Sequence, residues 1–243
     1  MAKQQRIIVG QVAAITGAGR GIGQATARAL VREGVKVAIG DLDYEAAQAT
    51  AAELGSAAIA VRLDVTDPES FADFISEAEE KLGPVDIIIN NAGIMPLGPF
   101  IDEDLATTKR MIDINIYGVH YGCKLTMPKM LQRGRGHIVN IASSAGKSGL
   151  PGGATYCGTK HYVVGMSEAL RWETRGTGVE VSCVMPVVVQ TELGSGLQQT
   201  RGVKHVQPED VANEIVSALK QPRFDVYVPR SVGPLNQFSA AIP

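Results

Sequence analysis

The chain of 243 residues is poor in cysteine, with Cys123, Cys157 and Cys183 and no C-x-x-C spacing. That pattern excludes a disulfide framework and a thiolate metal cluster, and it suits reduced thiols in the cytoplasm. His120, His137, His161 and His205 form no ligand spacing, so no metal is expected. An excess of one charge is also missing. With 23 basic and 25 acidic residues the net charge is −2, which gives no electrostatic case for nucleic acid or an anionic membrane surface. No apolar run reaches the roughly 18 residues of a membrane span. The opening "MAKQQRIIVGQVAAITG" flows into a glycine turn instead of a cleavage site, so no secretion signal is expected. What remains is a chain 45% hydrophobic and 20% charged, able to bury a substantial core.

Short β-branched runs alternate with longer amphipathic stretches. The runs fall at 12–16, 35–40, 57–63, 85–89, 137–142, 179–185 and 225–228, and helix-like segments at 21–33, 43–54, 67–82, 103–133, 154–175 and 208–220. Asp67-Pro68-Glu69 and Gln207-Pro208-Glu209 are helix starts, with proline in the first turn. Runs that are apolar throughout suit parallel strands buried on both faces. Right-handed crossovers then predict a doubly wound α/β fold: one seven-stranded, mostly parallel sheet with helices on both faces. With no internal repeat and no linker, a single domain spanning 1–243 is expected. The loops at 143–154 and 191–207 should emerge at the carboxyl ends of strands, where ligands bind, and the longer one, about 190–207, reads as a lid.

After the first strand comes "TGAGRGIG", Thr16 to Gly23, running into a helix. Glycines there permit a tight turn and close approach of the backbone to a pyrophosphate at the helix N-terminus. Asp41 ends the second strand 18 residues beyond Gly23, where an acid meets the adenosine ribose. Its carboxylate would accept bonds from ribose hydroxyls and repel a 2′-phosphate. Arg20 argues the other way, because a cation in the turn could hold that phosphate. Leu42, not a basic residue, follows Asp41, so NAD(H) is favoured over NADP(H).

Tyr156 and Lys160 stand four apart in "TYCGTK", a spacing that stacks two side chains on one helix face. Alone, such a pair is a coincidence with fair odds. Together with "TGAGRGIG", "NNAG" at 90–93, "DINIYGV" at 113–119 and "NIASSAG" at 140–146, however, it resembles the classical short-chain dehydrogenase/reductase family over about residues 10–230.

The resemblance implies a Rossmann fold and catalytic roles for Asn115, Ser143, Tyr156 and Lys160. It places Gly17, Arg20, Ile22 and Gly23 in the pyrophosphate turn and Asp64 and Val65 beside the adenine. Asn91, Ala92 and Gly93 would support the nicotinamide ribose, with Pro186, Val189 and Thr191 at the carboxamide end. It also implies a homo-oligomer, a dimer or tetramer paired through the helices near 103–133 and 154–175. One departure is Pro186-Val187, where the family usually has Pro-Gly. A β-branched residue predicts an ordinary, negative φ there and a narrower site.

The chemistry explains the residue types. A tyrosine of pKa about 10 needs a shift of about three units, or ~4 kcal/mol, to be half ionised at pH 7. An ammonium about 4 Å away at an effective dielectric of 20 is worth on the order of 4 kcal/mol, so Lys160 is expected to supply most of that shift. Ser143 would hold the substrate oxygen, and Asn115, by resemblance, a water that links Lys160 to solvent.

The expected function is NAD(H)-dependent interconversion of a secondary alcohol and a ketone. The alternatives are a non-catalytic NAD-binding sensor and an NADPH-dependent 3-oxoacyl reductase. Candidate wall residues Met95, Leu97, Leu150, Pro151, Val187, Leu193 and Leu197 are mostly apolar and point to an apolar small-molecule substrate.

Overall fold

The computed structural model describes residues 5–187, 189 and 206–232. Seven strands form one parallel sheet in the order β3-β2-β1-β4-β5-β6-β7. They are β1 (Val12–Thr16), β2 (Lys36–Asp41), β3 (Ala58–Arg62), β4 (Ile87–Asn90), β5 (Gly136–Ile141), β6 (Val179–Pro186) and β7 (Asp225–Val228). The order reverses between β1 and β4, which pair in register from Ala13↔Ile87 to Ile15↔Ile89. Diverging crossovers leave a crevice at that reversal, and this is where an open α/β sheet binds ligands.

The strands read as continuous apolar runs because both faces are covered. Alternate residues of one strand enter different cores. Ala13, Ile15, Ile39, Ile89 and Val139 pack with α1 (Gly21–Arg32), α2 (Tyr44–Leu54) and α7 (Pro208–Lys220). Val12, Ala14, Ile88, Ile138 and Cys183 pack instead with α3 (Pro68–Leu82), α5 (Gly118–Arg133) and α6 (Ala154–Glu173). Phe71 and Phe74 meet edge to face at 6.2 Å and fill the second core. Truncating such a buried aromatic typically costs about 3–5 kcal/mol.

The segment expected as one helix over 103–133 is instead three pieces. Helix α4 (Leu105–Ile112) leads into a π-helical turn, Asp113–Tyr117, before α5 begins. The extra residue in that turn shifts the helix register and turns Asn115 inward, where it is fully buried. Apolar periodicity runs through both helices, so the sequence pattern hides the insertion. Among the described residues no helix is long and apolar enough to cross a membrane.

Helix starts differ in a way that matters for the site. Asp43, Asp67 and Asp104 cap α2, α3 and α4 by accepting from first-turn amides. Helix α1 begins after Arg20 with no side-chain cap and no acid in its first turn. Arg20, Gly21 and Ile22, at its start, line the crevice.

Candidate active site

The crevice is a cavity of about 950 Å³ running from the glycine turn to the loop before α6. Gly17, with φ +63°, turns the chain out of β1; a Cβ there would come within 2.9 Å of the Ala92 Cα. Asn91 joins the two strands at the reversal. Its Nδ2 donates to the carbonyls of Thr16 and Gly17, both at 2.9 Å, while the Thr16 hydroxyl accepts from the amides of Asn91 and Ala92 at 3.0 Å. A bare backbone cradle beside an uncapped helix start fits a pyrophosphate, since exposed amides and the helix dipole both favour an anion.

Asp41 has a second role that the sequence did not reveal. Its Oδ2 accepts from the Gly19 amide at 2.8 Å and its Oδ1 from the Asp43 amide at 3.0 Å. The carboxylate therefore braces the glycine turn while lining the cavity, and each oxygen retains a lone pair for a ribose hydroxyl. Arg20 pairs with Asp43, which also lines the cavity.

At the other end, Tyr156 and Lys160 rise from the first turns of α6, only 6% and 5% exposed. Lys160 Nζ donates to the Ile141 carbonyl at 2.9 Å and lies 5.8 Å from the Tyr156 ring centroid. Ser143, in the turn after β5, accepts from the Ala145 amide at 3.1 Å. Burial pushes the Tyr156 phenol up, and hydrogen bonding with Ser143 partly offsets that. Burial likewise lowers Lys160 to about 8, so its ammonium form still dominates at neutral pH. The Lys160 ammonium is thus anchored on the Ile141 carbonyl. Helical spacing fixes which face both residues share, but a flexible lysine tip follows its hydrogen-bond partner.

The water-holding role expected of the Asn115 side chain meets a different arrangement. Its Oδ1 accepts from the Ile94 amide at 2.9 Å, and its Nδ2 donates to the Ile94 carbonyl at 2.9 Å and to Thr159 Oγ1 at 3.1 Å. Both amide hydrogens are used. Thr159 in turn donates to the Tyr156 carbonyl at 2.7 Å. Asn115 thus clamps the loop after β4 to the helix that carries Tyr156, behind the cavity and not on its wall.

Most of the anticipated residues do line the cavity: Gly17, Arg20, Ile22, Asp41, Leu42, Asp64, Val65, Asn91, Ala92, Gly93, Met95, Ser143, Leu150, Tyr156, Lys160, Pro186, Val187 and Val189. Gly23 does not; a side chain there would run into the Gly17 carbonyl, so its contribution is to let α1 pack under the turn. Leu97 and Pro151 are also off the wall, Leu97 lying instead over Gly153 beside Leu150. Thr191, Leu193, Leu197 and all of the anticipated lid except Val206 and Gln207 lie outside the described residues. Val187 has the negative φ expected and donates to the Val228 carbonyl at 3.0 Å, continuing the β6–β7 ladder.

Residues not anticipated on the wall include Gly21, Asp43, Ile94, Arg110 and Ser144. Behind it, Asn90 Nδ2 donates to Asn140 Oδ1 at 2.8 Å and Asn140 Nδ2 to Ser167 at 2.9 Å. Their register partnership across β4 and β5 was visible only as the first residues of "NNAG" and "NIASSAG". Among the described residues no group of three or more His, Cys, Asp or Glu side chains is placed to hold a metal.

A switch-point cavity with a bare phosphate cradle at one end and a Ser-Tyr-Lys set at the other defines a dinucleotide-dependent class of protein. The chain belongs to the short-chain dehydrogenase family, whose model matches residues 11–202. It is 39% identical to a sorbitol dehydrogenase of Cereibacter sphaeroides over 189 residues, 77% of this chain and 74% of that protein. It is 34% identical to a 3-alpha-(or 20-beta)-hydroxysteroid dehydrogenase of Mycobacterium tuberculosis over 213 residues, 86% of this chain and 82% of the other. A glycine betaine reductase of Emericella nidulans is 37% identical over 225 residues, but the 88% of this chain that aligns spans only 18% of that larger protein.

Among solved structures, a short chain dehydrogenase/reductase from Burkholderia phymatum in complex with NAD superposes with a TM-score of 0.88 at 28% identity, covering 97% of this chain and 95% of that one. A 3-ketoacyl-(acyl-carrier-protein) reductase from Brucella melitensis complexed with NADH gives 0.85 at 30% identity, covering 92% and 99%.

Proposed function

We propose that the protein is an NAD(H)-dependent oxidoreductase that interconverts a secondary alcohol and a ketone. The observation that carries this reading is the set of half-buried Ser143 with buried Tyr156 and Lys160, opening into the same cavity as the bare α1 start. Gly17, Ile22 and the first-turn amides of α1 hold the pyrophosphate. Asp41 receives the adenosine ribose, and Asp64 and Val65 flank the adenine. Pro186, Val189 and Thr191 hold the carboxamide end. When bound, the nicotinamide supplies the hydride acceptor or donor and, oxidised, a positive charge.

Ser143 orients the substrate oxygen. The phenol of Tyr156, protonated at neutral pH because burial raises its pKa, donates its proton to a ketone oxygen during reduction; in oxidation it must first lose that proton to solvent, and its phenolate then takes the hydroxyl proton. Lys160 contributes an ammonium and, beyond its bond to Ile141, two further donors for ribose hydroxyls. Asn115 positions Tyr156 and Ile94 by its clamp.

A secondary alcohol suits the sorbitol and hydroxysteroid dehydrogenases among the relatives, and Met95, Leu150 and Val187 favour an apolar one. A 3-oxoacyl reductase is a second reading. The preference of such enzymes for NADPH counts less against it, because the Brucella reductase was crystallised with NADH. Exposed Tyr117, Tyr162 and Trp172 on the α5–α6 side support a homo-oligomer.

The test is reduction of NAD⁺ and NADP⁺ against a panel of apolar secondary alcohols, polyols and 3-hydroxyacyl thioesters. Turnover of an apolar alcohol with NAD⁺ is expected. A clear preference for polyols or thioesters would replace the substrate reading, and no turnover with any pair would favour a sensor.

A further inference from the structure

Helix α6 carries Tyr156 in its first turn, yet that turn has no side-chain cap. Gly153, at the N-cap, has nothing to accept a first-turn amide with, and the turn contains no acid. The start of α6 is held from outside. Glu103, half-buried, precedes Asp104, the cap of α4, and reaches across to α6. Its Oε1 accepts from the hydroxyl of Thr108 on α4 at 2.5 Å and from that of Thr155, the neighbour of Tyr156, at 2.6 Å. Both lengths are those of hydroxyl bonds to an ionised acceptor. A carboxylate only accepts, so both hydroxyls donate to it. One dipeptide thus serves two helices: Asp104 caps α4, while Glu103 binds α4 to the opening turn of α6.

The same face of α4 backs the reacting end of the cavity. Thr108 and Met111 are three apart and share a helix face. Met111, fully buried, packs in one cluster with Tyr156, Cys157 and Ala145. Two further bonds tie the flanking loops: the Gly98 amide donates to the Gly152 carbonyl at 2.9 Å, and the Leu150 amide to Cys157 Sγ at 3.2 Å. We propose that Glu103 is a positioning residue for Tyr156: one carboxylate oxygen locks α4 to the first turn of α6 and so fixes where the phenol stands. The inference rests on the oxidoreductase reading and deepens it. Glu103 is off the cavity wall and acts through Thr155. Misplacing a reacting group by about 1 Å costs up to about a hundredfold in rate, so a loosened helix start should show in turnover before cofactor binding.

The experiment compares Glu103→Gln, Glu103→Leu, Thr155→Ser and Thr155→Val in the full chain, with circular dichroism as the folding check. Glu103→Gln keeps the acceptor and Thr155→Ser the donor; Glu103→Leu and Thr155→Val remove them at similar size. Turnover is read with NAD⁺ and cyclohexanol, and the start of α6 by hydrogen exchange with mass spectrometry, which needs no substrate. Glu103→Leu and Thr155→Val should lower kcat by about five- to fiftyfold, with the KM for NAD⁺ within about twofold. Amide exchange over residues 157–160 should quicken by about fivefold or more in the same two variants. Glu103→Gln and Thr155→Ser should stay within about threefold of wild type in both readouts, and adding Thr155→Val to Glu103→Leu should bring no further loss.

Wild-type turnover and exchange in Glu103→Leu and Thr155→Val would overturn the proposal. So would an equal loss in Glu103→Gln, because charge and not the accepted bonds would then be at work. Lower melting temperatures with kcat unchanged would also overturn it, leaving Glu103 a brace of the fold alone. Should Glu103→Leu fail to fold, Thr155→Val carries the test. Absence of turnover by wild type would count against the apolar-alcohol reading, and the exchange pattern would then decide for or against Glu103 by itself.

Discussion

The two ends of the sheet each bury a basic side chain, and comparing them shows what separates a group open to a cavity from one already paired within the chain. At the carboxyl end, burial lowers Lys160 to about 8. At the amino end, burial lowers His137 to about 3, with the Arg6 charge adding to the effect. Ser182 donates to the Arg223 carbonyl at 2.6 Å, so at 2.9 Å from His137 Nε2 it accepts, which fixes the neutral imidazole with its proton on Nε2. His137 has its bond made within the chain, and its pKa is removed from the physiological range. Lys160 keeps two donors unspent and a pKa near working pH. Desolvation is common to both; what differs is the company each keeps, a paired hydroxyl in one case and a 950 Å³ cavity in the other.

If the comparison holds, variants at one end should change chemistry and variants at the other stability. The largest effect is expected from Tyr156→Phe, which removes the proton donor and should lower turnover by about 10²–10⁴-fold while NADH affinity moves only a few-fold. Steady-state rates beside a fluorescence titration check both halves; wild-type turnover in that variant would break the mechanism.

Next comes the acid limb of stability. A neutral His137 with a folded pKa of about 3 and an unfolded value near 6.5 means that the unfolded chain binds the proton first as pH falls. Stability should therefore drop by a few kcal/mol, at most about 4–5, between pH 6.5 and 3. Urea denaturation across that range should show His137→Gln, which can still donate to Ser182, losing much less over the same interval.

Lys160 gives a kinetic counterpart. Ketone reduction should hold steady to about pH 7.5 and decline above about 8 as the ammonium is lost, and Lys160→Arg should move the break upward. A pH–rate profile without a break near 8 would detach Lys160 from the rate. The smallest effect is expected at Val187. Val187→Gly should enlarge the cavity wall and change the preference between small and bulky alcohols by several-fold, measured as the ratio of kcat/KM values.

Much of this was legible in sequence because burial on both faces writes itself as unbroken apolar runs. All seven strands fall within two residues of their expected bounds, and the helix over 208–220 coincides with α7. Asp67 and Pro68 mark α3 because capping and proline preference are local effects. The cavity wall was legible wherever a motif carried it, as at Ser143, Tyr156 and Asp41.

What was hidden depends on contacts far apart in the chain. The π turn at Asp113–Tyr117 leaves the apolar pattern almost untouched, so a single helix was the natural reading. The bond from Lys160 to Ile141 is a choice among partners that spacing cannot make. Leu97 was expected on the wall from its apolar character alone, yet its loop is tied by the Gly98 amide to the Gly152 carbonyl at 2.9 Å, and the side chain settles over Gly153. The bracing of the glycine turn by Asp41, over 22 residues of separation, is likewise tertiary.

The uncapped start of α1 has a thermodynamic side. Capping a helix start is worth about 1 kcal/mol, and α2, α3 and α4 each take it from an aspartate. Helix α1 forgoes it where an anion is expected to sit. The unliganded protein is thus less stable than its own pattern of caps would permit, and the deficit is held open for a ligand to fill. A dinucleotide at a hundred times its dissociation constant should add about 2.7 kcal/mol to folding by mass action. Melting temperature then becomes an assay for occupancy, and ranking NADH, NADPH and adenine nucleotide fragments by the rise each produces would show which part of the cofactor α1 was left bare to receive.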